Sequence, residues 1–162
     1  MPIRKRPPQL ALRLDAETPD AAARWCNGAP LAYLGGFVTL CLDTHCKEAW
    51  LEGKDLHLPL PPEATARQVQ DAAESWLRAR ALRVISVQAA MAARELGRPV
   101  PTVSLSFSAR GNWTQPDGDD GSGLRCHWRL VEQSPEVIAE VVAKAVARLP
   151  RLAASRDLFA AA

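Results

Sequence analysis

The chain has 162 residues, enough for one domain with a single core, and 48% hydrophobic with 23% charged residues is ordinary globular composition. A formal net charge of +2 gives no basic stripe of the kind nucleic acid requires, so nucleic acid is not the expected partner. No segment is long and apolar enough to span a bilayer and no signal core opens the chain, so a cytoplasmic protein with four reduced cysteines, Cys26, Cys41, Cys46 and Cys126, is expected.

Residues 1–30 are rich in Pro, Ala and Arg and read as an irregular lead-in, with one short strand around Leu10 to Leu14. Arg4, Lys5 and Arg6, followed by two prolines, read as a solvated tail. The ordered domain is expected over residues 31–162. It opens on Leu31–Leu42, where Phe37, Val38, Thr39, Leu40 and Leu42 are strand formers and Gly35-Gly36 invites a bend. A second strand is expected near Ala49 to Leu51. The alternation of Leu56, Leu58 and Leu60 marks a third, which Pro59 places at an edge or limits in its pairing.

Thr65 and Gln68 form a capping-box pattern ahead of a long alanine-rich helix to about Leu96, with Val69, Ala73, Trp76, Leu77, Val84 and Met91 on its apolar side. Gly97 and Pro99 stop it. Thr102–Ser108 alternates as a strand, Gln115–Gly123 reads as a turn, and Leu124–Val131 completes a hairpin. Ser134 and Pro135 start a second helix. Its stripe is Val137, Ile138, Val141, Val142, Ala145, Val146 and Leu149, and Pro150 ends it. A short helix with Leu152, Leu158 and Phe159 closes the chain. Strands and helices are segregated, so the fold class is α+β: a small mixed or antiparallel sheet on helices 65–96 and 135–149.

Other residue groups carry weaker chemistry. Cys41, His45, Cys46, Cys126 and His127 are soft-metal ligand types, but C-x3-H-C and C-H match no zinc knuckle, and buried thiols with edge histidines are the plainer account. Asp117, Asp119 and Asp120 lack the downstream Glu of a calcium loop. Trp76 and Trp128 lie in apolar patterns and read as core. Trp113, beside Arg110 in a polar turn, reads as exposed.

Three stretches in order resemble the YgjP-like metallopeptidase family, zincins related to the SprT-like proteins. They are Tyr33-Leu-Gly35 with its following strand; Trp76-Leu-Arg-Ala-Arg-Ala81, similar to the family's W-x-R-x-x-A; and the segment from Val103 to Leu149. In the last, Arg110-Gly-Asn-Trp113 stands at the family's R-W-G-S-C turn and His127-Trp-Arg-Leu130 at its N-W-R-L strand. Val141-Val-Ala-Lys-Ala-Val-Ala-Arg-Leu149 stands at its V-V-x-H-E-L-A-H-L helix. The resemblance covers residues 31 to about 160 and implies a zincin-like fold.

It also implies a zinc site on that helix, because residues four apart share a helix face and two imidazoles can bind one ion while the Glu activates its water. Here the motif positions hold Lys144, Ala145 and Arg148, and the third ligand falls at Ala154. The expectation is therefore a catalytically inactive relative without a cofactor, kept as a binding or regulatory domain for a protein or a small anion. Lys144, Arg148, Trp113 and Arg110 are the candidate ligand residues. Glu140, Lys144 and Arg148 also read as an ordinary i, i+4, i+8 charge row on a solvated face. Two further readings remain open: a hydrolase with a metal relocated to His45, Cys46, Cys126 and His127, and a weak anion- or nucleic-acid-binding module.

Overall fold

The computed structural model describes residues 21–151. The expected strand at Leu10–Leu14, the basic cluster at Arg4–Arg6, Ala154 and the closing helix with Leu158 all lie outside the described residues. Within the expected lead-in, Ala21–Arg24 forms one helical turn, α1.

Strands β1 (Pro30–Tyr33) and β2 (Gly36–Leu42) form an antiparallel hairpin closed by the pair Tyr33↔Gly36. The turn residues Leu34 and Gly35 both have positive φ, 47° and 77°. That two-residue geometry matches the twist of the flanking strands. Gly35 has a second reason to lack a side chain: a Cβ there would sit 2.8 Å from the Ser134 Cα. The turn is tied down by backbone bonds from Leu34 N to Val131 O (2.9 Å) and from Gly35 N to Glu132 O (3.1 Å).

β4 (Asp55–Leu58) runs parallel to β2, in the register Leu40↔Leu56, and pairs antiparallel with β3 (Trp50–Glu52). The order is β1-β2-β4-β3. β4 is thus an interior strand. Pro59, which has no N–H to give, limits its length instead of placing it at the edge. Val38, Leu40, Leu56 and Leu58 are buried on one face, as the alternation requires.

Helix α2 (Ala66–Glu95) starts at the capping box: Thr65 Oγ1 accepts from Gln68 N (3.3 Å), and Gln68 Oε1 accepts from Thr65 N (2.9 Å). Its buried side differs from the single stripe read in the sequence. Val69, Ala73, Trp76 and Leu77 are buried as expected, but Ala81, Ile85, Ala89, Ala92 and Ala93 continue the core. Val84 is only half-buried and Met91 is exposed. At 3.6 residues per turn, the second set is rotated by roughly 145° around the helix from the first. Such a helix changes neighbours along its length, and α2 contacts α1, β4, β5, the following 3-10 turn and α3. It ends in a Schellman motif, with Arg98 N donating to Ala93 O (2.8 Å), Gly97 N to Arg94 O (3.1 Å), and Gly97 at φ 61°.

A second sheet, ordered β5-β7-β6, is made of β5 (Val103–Ser106), β6 (Thr114–Asp117) and β7 (Gly123–His127). β5 and β7 are parallel and β6 and β7 antiparallel. Two mixed sheets thus replace the single sheet expected, and Gln115–Asp117 belongs to a strand, which shortens the expected turn. β7 stops at His127 because that side chain's Nδ1 accepts from Arg129 N (3.2 Å) and caps a 3-10 turn over Trp128–Glu132.

Helix α3 (Pro135–Arg148) begins where Ser134 Oγ accepts from Val137 N. It buries Ile138, Val142, Ala145 and Val146, the i, i+4, i+7, i+8 face. Val137 is exposed and Val141 half-buried. One apolar cluster joins both sheets, α2 and α3, with Trp76 and Trp128 inside it. The fold class is α+β. Among the described residues, no helix is long and apolar enough to cross a membrane.

Candidate functional site

On α3 the residues at the expected motif positions divide between solvent and core. The Lys144 side chain is 64% exposed, and its ammonium donates to Glu140 Oε1 one turn earlier. That hydrogen bond, then the ammonium's charge, holds the Glu140 carboxyl below the ordinary range. An anion arriving at Lys144 therefore competes with a carboxylate already in place. Arg148 is exposed, and its side chain makes no hydrogen bond or ion pair within the described residues. Ala145 faces the opposite way, into the core. A glutamate at that position would lie in an apolar interface.

Arg110 and Trp113 sit on the exposed loop between β5 and β6. Trp113 is 45% exposed and meets His127 edge-on at 5.9 Å. His127 ties the loop down from β7: its backbone N donates to Trp113 O (2.9 Å), and its Nε2 lies 2.8 Å from Ser108 O. Because Nδ1 accepts from Arg129 N, and a carbonyl oxygen can only accept, the network assigns the proton to Nε2. Both ring nitrogens are then engaged, and no lone pair is free for a metal. Among the described residues, no hydrogen bond, ion pair or ring contact joins Arg110 or Trp113 to Lys144 or Arg148.

His45 and Cys46 lie in the connection between β2 and β3, whereas Cys126 and His127 lie on β7 in the other sheet. Cys46 Sγ donates to Asp43 O (3.1 Å), and desolvation followed by the Asp43 charge raises its thiol pKa. Burial alone pushes the Cys126 thiol up to about 12, far from a ready thiolate ligand. Among the described residues, no group of three or more His, Cys, Asp or Glu side chains gathers in a metal-binding set. Asp117 is occupied with Ser104 and with Arg125 (2.6 Å), and Asp120 caps the hairpin turn at Ser122.

Two side-chain groups lay outside the sequence reading. His57, on the outer face of the first sheet, stacks on Trp50 at 4.7 Å, with Asp43 3.7 Å from Nδ1 and Glu52 3.8 Å from Nε2. The alternation of β4 already aimed His57 outward, but its carboxylate neighbours come from the ends of two other strands. Arg78, the first of the two arginines of the Trp76–Ala81 stretch, lies between the rings of Phe107 and Trp128, each 5.2 Å away. It pairs with Glu74 (2.9 Å), while Arg129 covers Trp128 at 4.6 Å. This ladder braces α2 against the second sheet.

Residues 9–143 match the model of a family described as YgjP-like, metallopeptidase domain. The chain belongs to the YgjP-like family. No curated protein and no solved structure matches it. The match to the YgjP-like domain ends at Ala143, inside α3 and one residue before Lys144. The zinc that the family's H-E-x-x-H helix implies does not fit the last turn of α3, where Lys144-Ala-Val-Ala-Arg148 offers two cations and methyl-bearing side chains. The three histidines of the chain, at 45, 57 and 127, are all outside α3, and none is followed by Glu.

Proposed function

We propose that the protein is a catalytically inactive, zincin-like relative of the YgjP-like metallopeptidases, acting in the cytoplasm as a binding or regulatory domain. One observation carries the reading: at the motif positions of α3, Lys144 is paired with Glu140 in solvent and Ala145 is packed in the core. A zinc hydrolase needs imidazole and carboxylate lone pairs converging on one ion, with an open coordination position for water. A lysine and an arginine at that place repel a divalent cation. The surrounding features (the Ser134 cap, Pro135, the buried stripe and the stop at Pro150) preserve the helix as a scaffold.

Metal analysis of the purified full chain, dialysed after exposure to excess zinc, tests this reading together with a peptide-hydrolysis assay. The expected result is far less than one equivalent of zinc and no chelator-sensitive turnover. Stoichiometric zinc with hydrolysis that a chelator abolishes overturns it.

A further inference from the structure

The Schellman turn after α2 sends Arg98 across to the end of α3. Its Nη1 donates to Leu149 O (2.8 Å) and to Val146 O (3.0 Å), which also accepts from Leu149 N, two carbonyls at a helix end that lack the usual partner four residues on. A guanidinium has a second edge, Nε with Nη2, and among the described residues that edge has no hydrogen-bond partner. Arg98 is thus oriented by the protein and still half unsatisfied.

It lines a cavity of about 400 Å³ where the C-terminal ends of α2 and α3 meet. That lies within the roughly 300–1,000 Å³ typical of small-molecule sites. Arg151 and Thr102 add donors to the lining, and Ser122 spends its hydroxyl proton on Asp120 (2.7 Å). Among the described residues, no carboxylate side chain lines the cavity. The rest is apolar: Leu96 and Val100 stand 46% and 54% exposed, and Pro99, Pro101 and Pro150 stiffen the wall.

We propose that this cavity is a binding site for a small amphiphilic oxyanion, a carboxylate or a phosphate monoester carrying an apolar chain. The free Arg98 edge suits the two oxygens of such a head group, and a fixed guanidinium loses little entropy on pairing. Val100 and Leu96 offer apolar surface for the tail. The two helix ends bring a partial charge of roughly −0.5 each, against full positive charges on Arg98 and Arg151, so the balance favours an anion. A second cavity, beside β1, has no such unmet demand. Its Arg129 is paired with Glu132 (2.9 Å), and Arg24 already covers Trp25. The inference goes beyond the loss of zinc chemistry on α3 and does not depend on it.

Titration calorimetry of the full chain with octanoate, octyl phosphate and octan-1-ol is the test. Saturable one-to-one binding of octanoate or of octyl phosphate is expected, whichever binds tighter naming the head group, with octanol weaker by at least about tenfold. Arg98→Lys keeps a cation for the α3 carbonyls but loses the fork, and weakens the anion by about tenfold or more. Should that variant not fold, Val100→Asp, at an exposed position, places a carboxylate in the mouth and abolishes binding. No saturable binding of either anion, octanol binding as tightly as the anions, or Val100→Asp binding like the parent each overturns the proposal.

Discussion

Gly35→Ala and Gly97→Ala form a matched pair, because both glycines have positive φ, 77° and 61°, and only one is crowded. Forcing an L-residue into the left-handed region costs about 1–2 kcal/mol at either site. The gain from a stiffer unfolded chain, about 0.4–1 kcal/mol, is also common to both and cancels in the comparison. At Gly97 the new Cβ meets nothing within 4 Å. At Gly35 it lies 2.8 Å from Ser134 Cα, 2.9 Å from Ser134 Cβ and 3.2 Å from Ser134 N. Two of these atoms are backbone at the cap of α3 and cannot swing aside. Overpacking of that kind adds about 1–3 kcal/mol. For a chain of this size each kcal/mol lowers Tm by about 2–4 °C, so with that gain subtracted Gly35→Ala should fall by roughly 8 °C and Gly97→Ala by roughly 2 °C. Thermal unfolding followed by circular dichroism reads both. Equal losses would refute the close approach of the β1–β2 turn to α3.

Glu74→Ala removes the partner of Arg78, whose Nε is already buried without one, and should cost about 2 kcal/mol, a drop of roughly 4–8 °C in Tm; an unchanged Tm would show the ladder to be ornamental. Lys144→Ala breaks only an exposed pair and should leave Tm unchanged by the same measurement. Iodoacetamide at pH 8 should label exposed Cys26 in the folded protein and reach Cys126 only in denaturant; mass spectrometry of the labelled peptides decides, and native labelling of Cys126 contradicts its burial. Asp117 is held below its ordinary 3.8, first by the Ser104 hydroxyl, so its stabilising effect is complete above that value and lost as pH falls through the lowered one. Ser104→Ala brings the two values closer and should start acid unfolding at a higher pH; an unmoved acid limb would show that the hydroxyl does not hold the carboxylate.

Local signals set the ends of both main helices, and these were legible: Thr65 with Gln68, Gly97, and Ser134 with Pro135 all act where the sequence placed them. The buried face of α2 was not. Val84 and Met91 continue the stripe begun by Val69 and Leu77, and only packing against a succession of neighbours favours Ala81, Ile85 and Ala89 instead. The end of β7 was hidden for a similar reason, since His127 continues the strand's residue pattern until its imidazole turns back to cap Arg129. At the candidate site, the residues at 144–148 were plain in the sequence, but the pairing of Lys144 and the burial of Ala145 depend on the folded helix. The cavity at Arg98 had no sequence signal, because its walls meet only when residues 48 and 51 positions apart are brought together.

The span that Arg98 bridges also separates two notions of where this domain stops. Similarity to the YgjP-like family runs out at Ala143, yet hydrogen bonding and burial continue through Val146 to Leu149. A fragment trimmed to the matched region would keep Arg98 while discarding both carbonyls that orient it, together with the core contacts of Ala145, Val146 and Leu149. The packed core is therefore longer than the matched region. Arg98, in the turn after α2, reaches past the matched region to the end of α3.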